Sequence, residues 1–109
     1  MVLYGIPTCD TCRKALRDLR VHAQVSFRDV RSEPLSDAER RRFVAAFGAA
    51  IVNRQSSTWR ALTEAGRAAE LEVLLARHPT LMKRPVIDTG RELLLGWSAA
   101  TAAKAAGGA

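Results

Sequence analysis

No apolar run in this chain approaches the roughly 20 residues that a helical membrane span needs. A membrane-spanning helix is excluded, and no membrane partner is expected. Only two cysteines are present, Cys9 and Cys12. A disulfide-stapled secreted scaffold uses more of them, spread farther apart to close longer loops. The start, Met1-Val2-Leu3-Tyr4-Gly5, has no basic leader and runs straight into domain-like sequence, so no signal peptide is expected. A reducing, cytoplasmic location follows as the expectation. There is no internal repeat and no inter-domain linker, which predicts one domain over residues 1–109.

What is there belongs to a folding chain. Hydrophobic residues make up 48% of the 109 positions, enough to bury a modest core. Seventeen basic side chains against eleven acidic ones leave a net charge of +6. That balance favours solubility and weak non-specific contact with acidic surfaces. Arg13, Lys14, Arg17, Arg20, Arg40, Arg41 and Arg42 fall mostly at spacings that a solvated helix face uses. Direct nucleic-acid binding is therefore not expected.

Val2-Leu3-Tyr4 is a short apolar run that reads as a buried strand, ended by Gly5 and Pro7. A helix capped by Asp10 or Thr11 is expected to run to about Arg20, with Ala15, Leu16 and Leu19 inward. Val25 and Phe27 alternate with polar neighbours, as in a half-buried strand. Ser36 and Glu39 form a capping box for a helix over Asp37 to Phe47, burying Phe43, Val44 and Phe47 and stopping at Gly48. Residues 49–66 read as loop and short helix, with Ser57 or Thr58 capping a turn that holds Trp59 and Leu62. A helix over Arg67 to Arg77 follows, closed by His78-Pro79. Val86-Ile87 and Leu93-Leu94-Leu95 predict a hairpin around Asp88-Thr89-Gly90. It lacks the Asn-Gly or Asp-Gly pair of a two-residue turn, so a longer loop is expected. Ser98 caps a last helix over about Ala99 to Ala105, and a Gly107-Gly108-Ala109 tail is expected to fray. Strand, helix, strand, helices, hairpin, helix is the order of an α/β fold. It predicts a mixed four-stranded sheet with a helical insert over about residues 35–80.

The segment with chemistry is Thr8-Cys9-Asp10-Thr11-Cys12-Arg13-Lys14. Cys9 ends the loop after the first strand, and Cys12 lies in the first helical turn. Free backbone N–H groups, the helix dipole and the positive Arg13 and Lys14 all favour a thiolate at Cys9. Such surroundings take a thiol from about 8.5 into the range of roughly 3.5–7.5. Cys12 is placed to resolve a mixed disulfide formed on Cys9. Two other readings stay open here. One is half of a zinc site, against which stand the missing second pair and the spacing of His22 and His78. The other is a pair of buried core cysteines, against which stand Pro7, Thr8, Asp10 and Thr11. No metal is expected.

Lys83-Arg84-Pro85 precedes the hairpin. Arg84 reads either as a fork of donors for an oxyanion or substrate carboxylate, or as a surface arginine before a strand. Asn53, Arg54 and Trp59 have the same double reading, Trp59 leaning to packing. Trp97 is expected to pack the last helix, and His22 and His78 to sit at helix ends.

Together these residues resemble the arsenate-reductase-like (ArsC/Spx/YffB-type) family of thioredoxin-fold proteins. The resemblance rests on Leu3-Tyr4-Gly5, Cys9-x-x-Cys12-Arg13-Lys14-Ala15, Ser32 to Ser36, Asn53 to Leu62, His78-Pro79, Arg84-Pro85 and Leu94-Leu95-Gly96. It looks most like the YffB branch, proposed glutathione-dependent thiol reductases. The resemblance implies a thioredoxin-like fold and a nucleophile at Cys9. It also implies a second redox cysteine at Cys12, the helix-start arginine at Arg13, and a cis bond between Arg84 and Pro85. Glutathione is the implied co-substrate, with no tightly bound cofactor. Thr8, Asn53, Arg54, Arg84 and Pro85 are the implied substrate-binding residues. Glutaredoxin is a further implied partner, and RNA polymerase is one if the chain is a redox-sensing regulator of the Spx type. Arsenate reductases of this class carry anion-binding arginines where this chain has Asn53 and Gly96. Arg84 alone is a weak replacement for three guanidinium groups. The resemblance thus points to a thiol or glutathione substrate, with weak arsenate reduction as a third reading.

Overall fold

Two apolar segments far apart in sequence meet at the centre of the sheet. The computed structural model describes residues 1–107, and β1 (Val2–Gly5) pairs there in parallel with β2 (Ser26–Asp29). On its other side β1 pairs antiparallel with β3 (Val86–Asp88), which pairs antiparallel with β4 (Leu93–Leu95). The strand order is β2-β1-β3-β4, the mixed four-stranded sheet expected from the element order. Register aligns Phe27, Leu3, Ile87 and Leu94 in one row across all four strands. Paired residues share a face, so this row is the floor of a core.

Helix α1 (Asp10–Arg20) brings Cys12, Ala15 and Leu19 into that core at helical spacing. Val25 and Ala105 complete it, the latter from the final helix over Ala99–Gly107. Leu3 and Ile87 are fully buried, each contributing about 1.5–3 kcal/mol of burial. The hairpin loop is four residues long, and Asp88 Oδ1 accepts from the Gly90 N–H at 2.9 Å. Ser98 caps the last helix by accepting from the Thr101 N–H at 3.2 Å. That helix continues through Gly107, and the Gly108-Ala109 end of the expected tail lies outside the described residues.

The chain divides into two units, Met1–Glu33 with the chain from Arg84 onward, and Pro34–Lys83. In the second unit α2 (Asp37–Phe47) carries the expected capping box and ends at Gly48, whose φ of 56° suits a residue without a side chain. Phe43 is fully buried, while Val44 and Phe47 are only half-buried. Two expected boundaries move. Ser56, not Ser57 or Thr58, caps α3 (Ser57–Ala61) by accepting from the Trp59 N–H at 3.1 Å. The single helix expected over Arg67 to Arg77 is two helices, α4 (Glu64–Arg67) and α5 (Leu71–Arg77). Thr63 starts the earlier turn by accepting from the Gly66 N–H, and Glu70 is extended, which breaks the run. The final helix, Ala99–Gly107, is α6.

Candidate active site

The site begins where β1 ends. Cys9 is the N-cap of α1 and its own N–H donates to the Ile6 carbonyl at 3.2 Å. Helix α1 therefore starts one residue earlier than a cap at Asp10 would give, and two earlier than a cap at Thr11. Asp10 is turned outward instead and pairs with Arg13. Cys9 is half-buried, packed against the core of the first unit, and Cys12 is fully buried within it. Both thiols are free.

Three donors converge on the Cys9 sulfur. Partial burial pushes this thiol up. The Cys12 backbone N–H, the Cys12 thiol and the Arg84 guanidinium outweigh that, and the net shift is below the ordinary 9.0. Cys12 goes the other way. Burial, opposed in part by a backbone hydrogen bond from Ile6, and then the neighbouring Cys9 push it up to about 12. Cys9 is thus the group that ionises first, and Cys12 holds its proton and donates it toward Cys9.

Arg84 reaches this place from the other end of the chain. Its bond to Pro85 is cis, Pro85 is buried, and the Pro85 carbonyl accepts from the Gly96 N–H at 2.8 Å. Gly96 has φ 77°, a conformation that side-chain-bearing residues seldom adopt. Arg84 is half-buried, so its charge acts on Cys9 with less screening than a surface arginine's.

The structure brings together Cys9, Cys12, Arg84 and Pro85, with Thr8 exposed beside Cys9. Arg13 and Lys14 do not supply the charge at Cys9. Arg13 pairs with Asp10, and Lys14 donates to Asp18 at 2.9 Å, one helical turn along the exposed face. Asn53 and Arg54 belong to the second unit. The Asn53 side-chain oxygen accepts from the Gln55 N–H at 3.0 Å, and its carbonyl accepts from the Ser56 hydroxyl at 2.8 Å. Arg54 lies 5.4 Å from the Trp59 ring centre. Trp97 packs on the core of the first unit and its indole N–H donates to Asp18 at 3.3 Å.

Sequence reasoning missed Gly5. A Cβ at that position would stand 2.5 Å from the Cys12 sulfur and 3.2 Å from its Cβ. Only a glycine lets Cys12 sit this close to the strand. The available signal was a glycine closing a strand, which also marks close backbone approach. Among the described residues no group of three or more His, Cys, Asp or Glu side chains is gathered as a metal site would need.

A model of the ArsC family matches residues 4–105. The chain belongs to the ArsC family. It is 35% identical over 105 residues to an uncharacterised protein of Haemophilus influenzae, covering 90% of this chain and 91% of that one. It is 30% identical over 106 residues to the global transcriptional regulator Spx of Bacillus subtilis, covering 90% of this chain and 80% of Spx. The solved YffB protein superposes with a TM-score of 0.88 at 34% identity, covering 95% of this chain and 96% of that one. The thioredoxin-like fold and the kinship with thiol-oxidoreductase-like proteins follow from membership.

Proposed function

We propose that this ArsC-family chain is a glutathione-dependent thiol–disulfide reductase of a reducing cytoplasm, working through a Cys9 thiolate. One observation supports this above all. A half-buried thiol receives three donors, one of them a guanidinium, and is shifted below 9.0. That is the arrangement of a nucleophile.

In the first step the Cys9 thiolate attacks the glutathione sulfur of a mixed disulfide. The substrate's sulfur leaves as thiolate, and Cys9 now carries glutathione. In the second step a second glutathione thiolate attacks the glutathione sulfur held on Cys9. Oxidised glutathione forms and the Cys9 thiolate returns, so the second glutathione is oxidised from thiol to disulfide as the substrate sulfur is reduced from its mixed disulfide to a thiol. Thr8, Arg84 and the backbone beside Pro85 hold the peptide. Cys12 is the other candidate for the second step. Its thiol is buried, and that burial, which persists after Cys9 has entered the mixed disulfide, favours the protonated form over the attacking thiolate. The external thiol, from glutathione or glutaredoxin, is therefore the better supported resolver.

Glutathione-linked reduction of a small mixed disulfide tests this. Cys9→Ser abolishes turnover, and Cys12→Ser keeps a substantial part of it. Full activity in Cys9→Ser with loss in Cys12→Ser would overturn the assignment. A second reading, a redox-switched regulator that binds RNA polymerase, is favoured by the 30% identity to Spx. Capture of polymerase by only one redox form, without turnover of small disulfides, would select it.

A further inference from the structure

Three successive residues after β4 each give a donor to a different element. The Gly96 N–H donates to the Pro85 carbonyl at 2.8 Å, the Trp97 indole N–H to Asp18 Oδ2 at 3.3 Å, and the Ser98 N–H to the Thr101 hydroxyl at 2.8 Å. All of these residues belong to the first unit. The segment 96–98 thereby ties the residue before β3 to the flank of α1 and to the first turn of α6.

Asp18 is the receiving end on α1. Its Oδ2 also accepts from Lys14 Nζ at 2.9 Å, one turn back along the helix. Lys14, and after it the Trp97 N–H, hold the Asp18 carboxyl below its ordinary range against desolvation. The Trp97 contact is therefore made to a carboxylate, the stronger kind of acceptor.

Helix α1 is a rod that carries Cys9 at its head. The Cys9 N–H fixes that end on the Ile6 carbonyl at 3.2 Å. Asp18 lies two and a half turns farther on, roughly 13 Å along the axis. Cys12, Ala15 and Leu19 hold the core face of the rod. The Trp97 contact holds its flank, and so limits rolling of the helix on the sheet.

The contacts close a ring. Asp18 on α1 joins Trp97, Trp97 follows Gly96, Gly96 joins Pro85, Pro85 follows Arg84, and the Arg84 guanidinium joins the Cys9 sulfur at the head of α1. In a closed ring the geometry of one link is set by the others, and the Arg84–Cys9 link is the one with chemistry. We propose that Trp97 and Asp18 are positioning residues: their hydrogen bond, passed on through the Gly96–Pro85 contact, holds the Arg84 guanidinium on the Cys9 sulfur. This rests on the Cys9 thiolate reading and names what sets its geometry.

The test is the pH profile of Cys9 alkylation by iodoacetamide in the full chain, read at Cys9 by mass spectrometry. Trp97→Phe keeps a ring on the core and removes the indole donor. Its rate at pH 7 is expected to fall about twofold to threefold and its midpoint to move up, with the alkaline plateau unchanged. Because the effect runs through Arg84, adding Trp97→Phe to Arg84→Gln leaves the profile of Arg84→Gln as it was. A mere loss of stability would act in both backgrounds. Asp18→Asn and Asp18→Leu form a second pair. Both remove the charge and release Lys14, but asparagine keeps an oxygen for the Trp97 N–H. Asp18→Leu is expected to be slower than Asp18→Asn by about twofold. A Trp97→Phe profile that overlays the parent's, an equal effect of Trp97→Phe with and without Arg84, or equal rates in the Asp18 pair would overturn the proposal. A parent midpoint at the ordinary 9.0 would overturn the thiolate reading with it. A lowered parent midpoint that Trp97→Phe does not move would leave that reading standing.

Discussion

The first turn of α1 has a solvent side and a core side, and one cysteine stands on each. Cys9 and Cys12 are the same residue type in the same turn, yet one thiol is shifted down and the other up to about 12. What differs is what surrounds each sulfur. Cys9 is half-open to solvent and receives the Cys12 N–H, the Cys12 S–H and Arg84. Cys12 lies among Leu3, Ala15, Leu19, Val25 and Ile87, against the bare backbone of Gly5. The difference teaches that a Cys-x-x-Cys pair is not two equivalent thiols. The core sets the donor, and the donor helps to set the nucleophile.

The largest way to break this difference is to fill the space at Gly5. Gly5→Ala places a methyl 2.5 Å from the Cys12 sulfur, so the sulfur or the strand must move. Overpacking of this kind costs about 1–3 kcal/mol, read as a lower midpoint in urea unfolding. A displaced Cys12 also donates less well to Cys9, and Cys9 alkylation at neutral pH slows. The double variant Gly5→Ala with Cys12→Ala removes the clashing sulfur and recovers part of the stability. Unchanged stability in the single variant would mean that Cys12 is not held by the strand.

Much of this arrangement was legible in the sequence, and the limit has a physical basis. Strand β1, helix α1, the capping box of Ser36 and Glu39, and the hairpin were legible because each rests on local periodicity or a local cap. The stretch from Ser56 to Leu71 was not. Three candidate caps crowd into Ser56, Ser57 and Thr58, and Thr63 competes with the longer helix that Leu71, Leu74 and Leu75 advertise. In the site, Cys9 and Arg84 were legible as candidates. The partners of Arg13 and Lys14 were not, because Asp10 and Asp18 capture them at three- and four-residue spacing while Arg84 arrives from the far end of the chain. Gly5 was legible only as the end of its strand, because its role is an absent side chain, and Gly96 was illegible because its N–H serves Pro85 only in the folded sheet.

A second way to sharpen the comparison uses alkali. The Cys12 thiol has its folded pKa raised from 9.0 to about 12. Its contribution is therefore fully present below pH 9 and is lost as pH rises toward 12, since the unfolded chain releases that proton first. The loss is about 1.4 kcal/mol per pH unit once above pH 9, or about 2 kcal/mol by pH 10.5. Cys9, with its pKa lowered, has the opposite sign: its contribution is present above pH 9 and lost as pH falls through the folded value. Urea unfolding at pH 8, 9 and 10.5 measures the net slope. In Cys12→Ala the fall above pH 9 is shallower, even though its stability at pH 8 is lower. Parallel slopes for the two proteins would show that Cys12 titrates normally.

The smallest effect falls on the solvent side. Arg84→Gln keeps a hydrogen-bond donor near Cys9 but removes the positive charge. Loss of a cation beside a thiolate raises the thiol pKa, so the thiolate fraction at pH 7 falls. Iodoacetamide is uncharged, which keeps its own attraction to Arg84 out of the measurement. Its rate at pH 7 is expected to fall about threefold to tenfold, and to return to the parent value near pH 10, where both proteins carry the thiolate. Arg84→Lys restores the charge without the planar fork and recovers only part of the rate. Added salt narrows the gap between parent and Arg84→Gln, because the half-buried guanidinium is still reached by counterions. If the profile of Arg84→Gln overlays that of the parent, the Cys12 N–H and S–H alone hold the Cys9 thiolate, and the difference between the two cysteines is made by the core side of the turn.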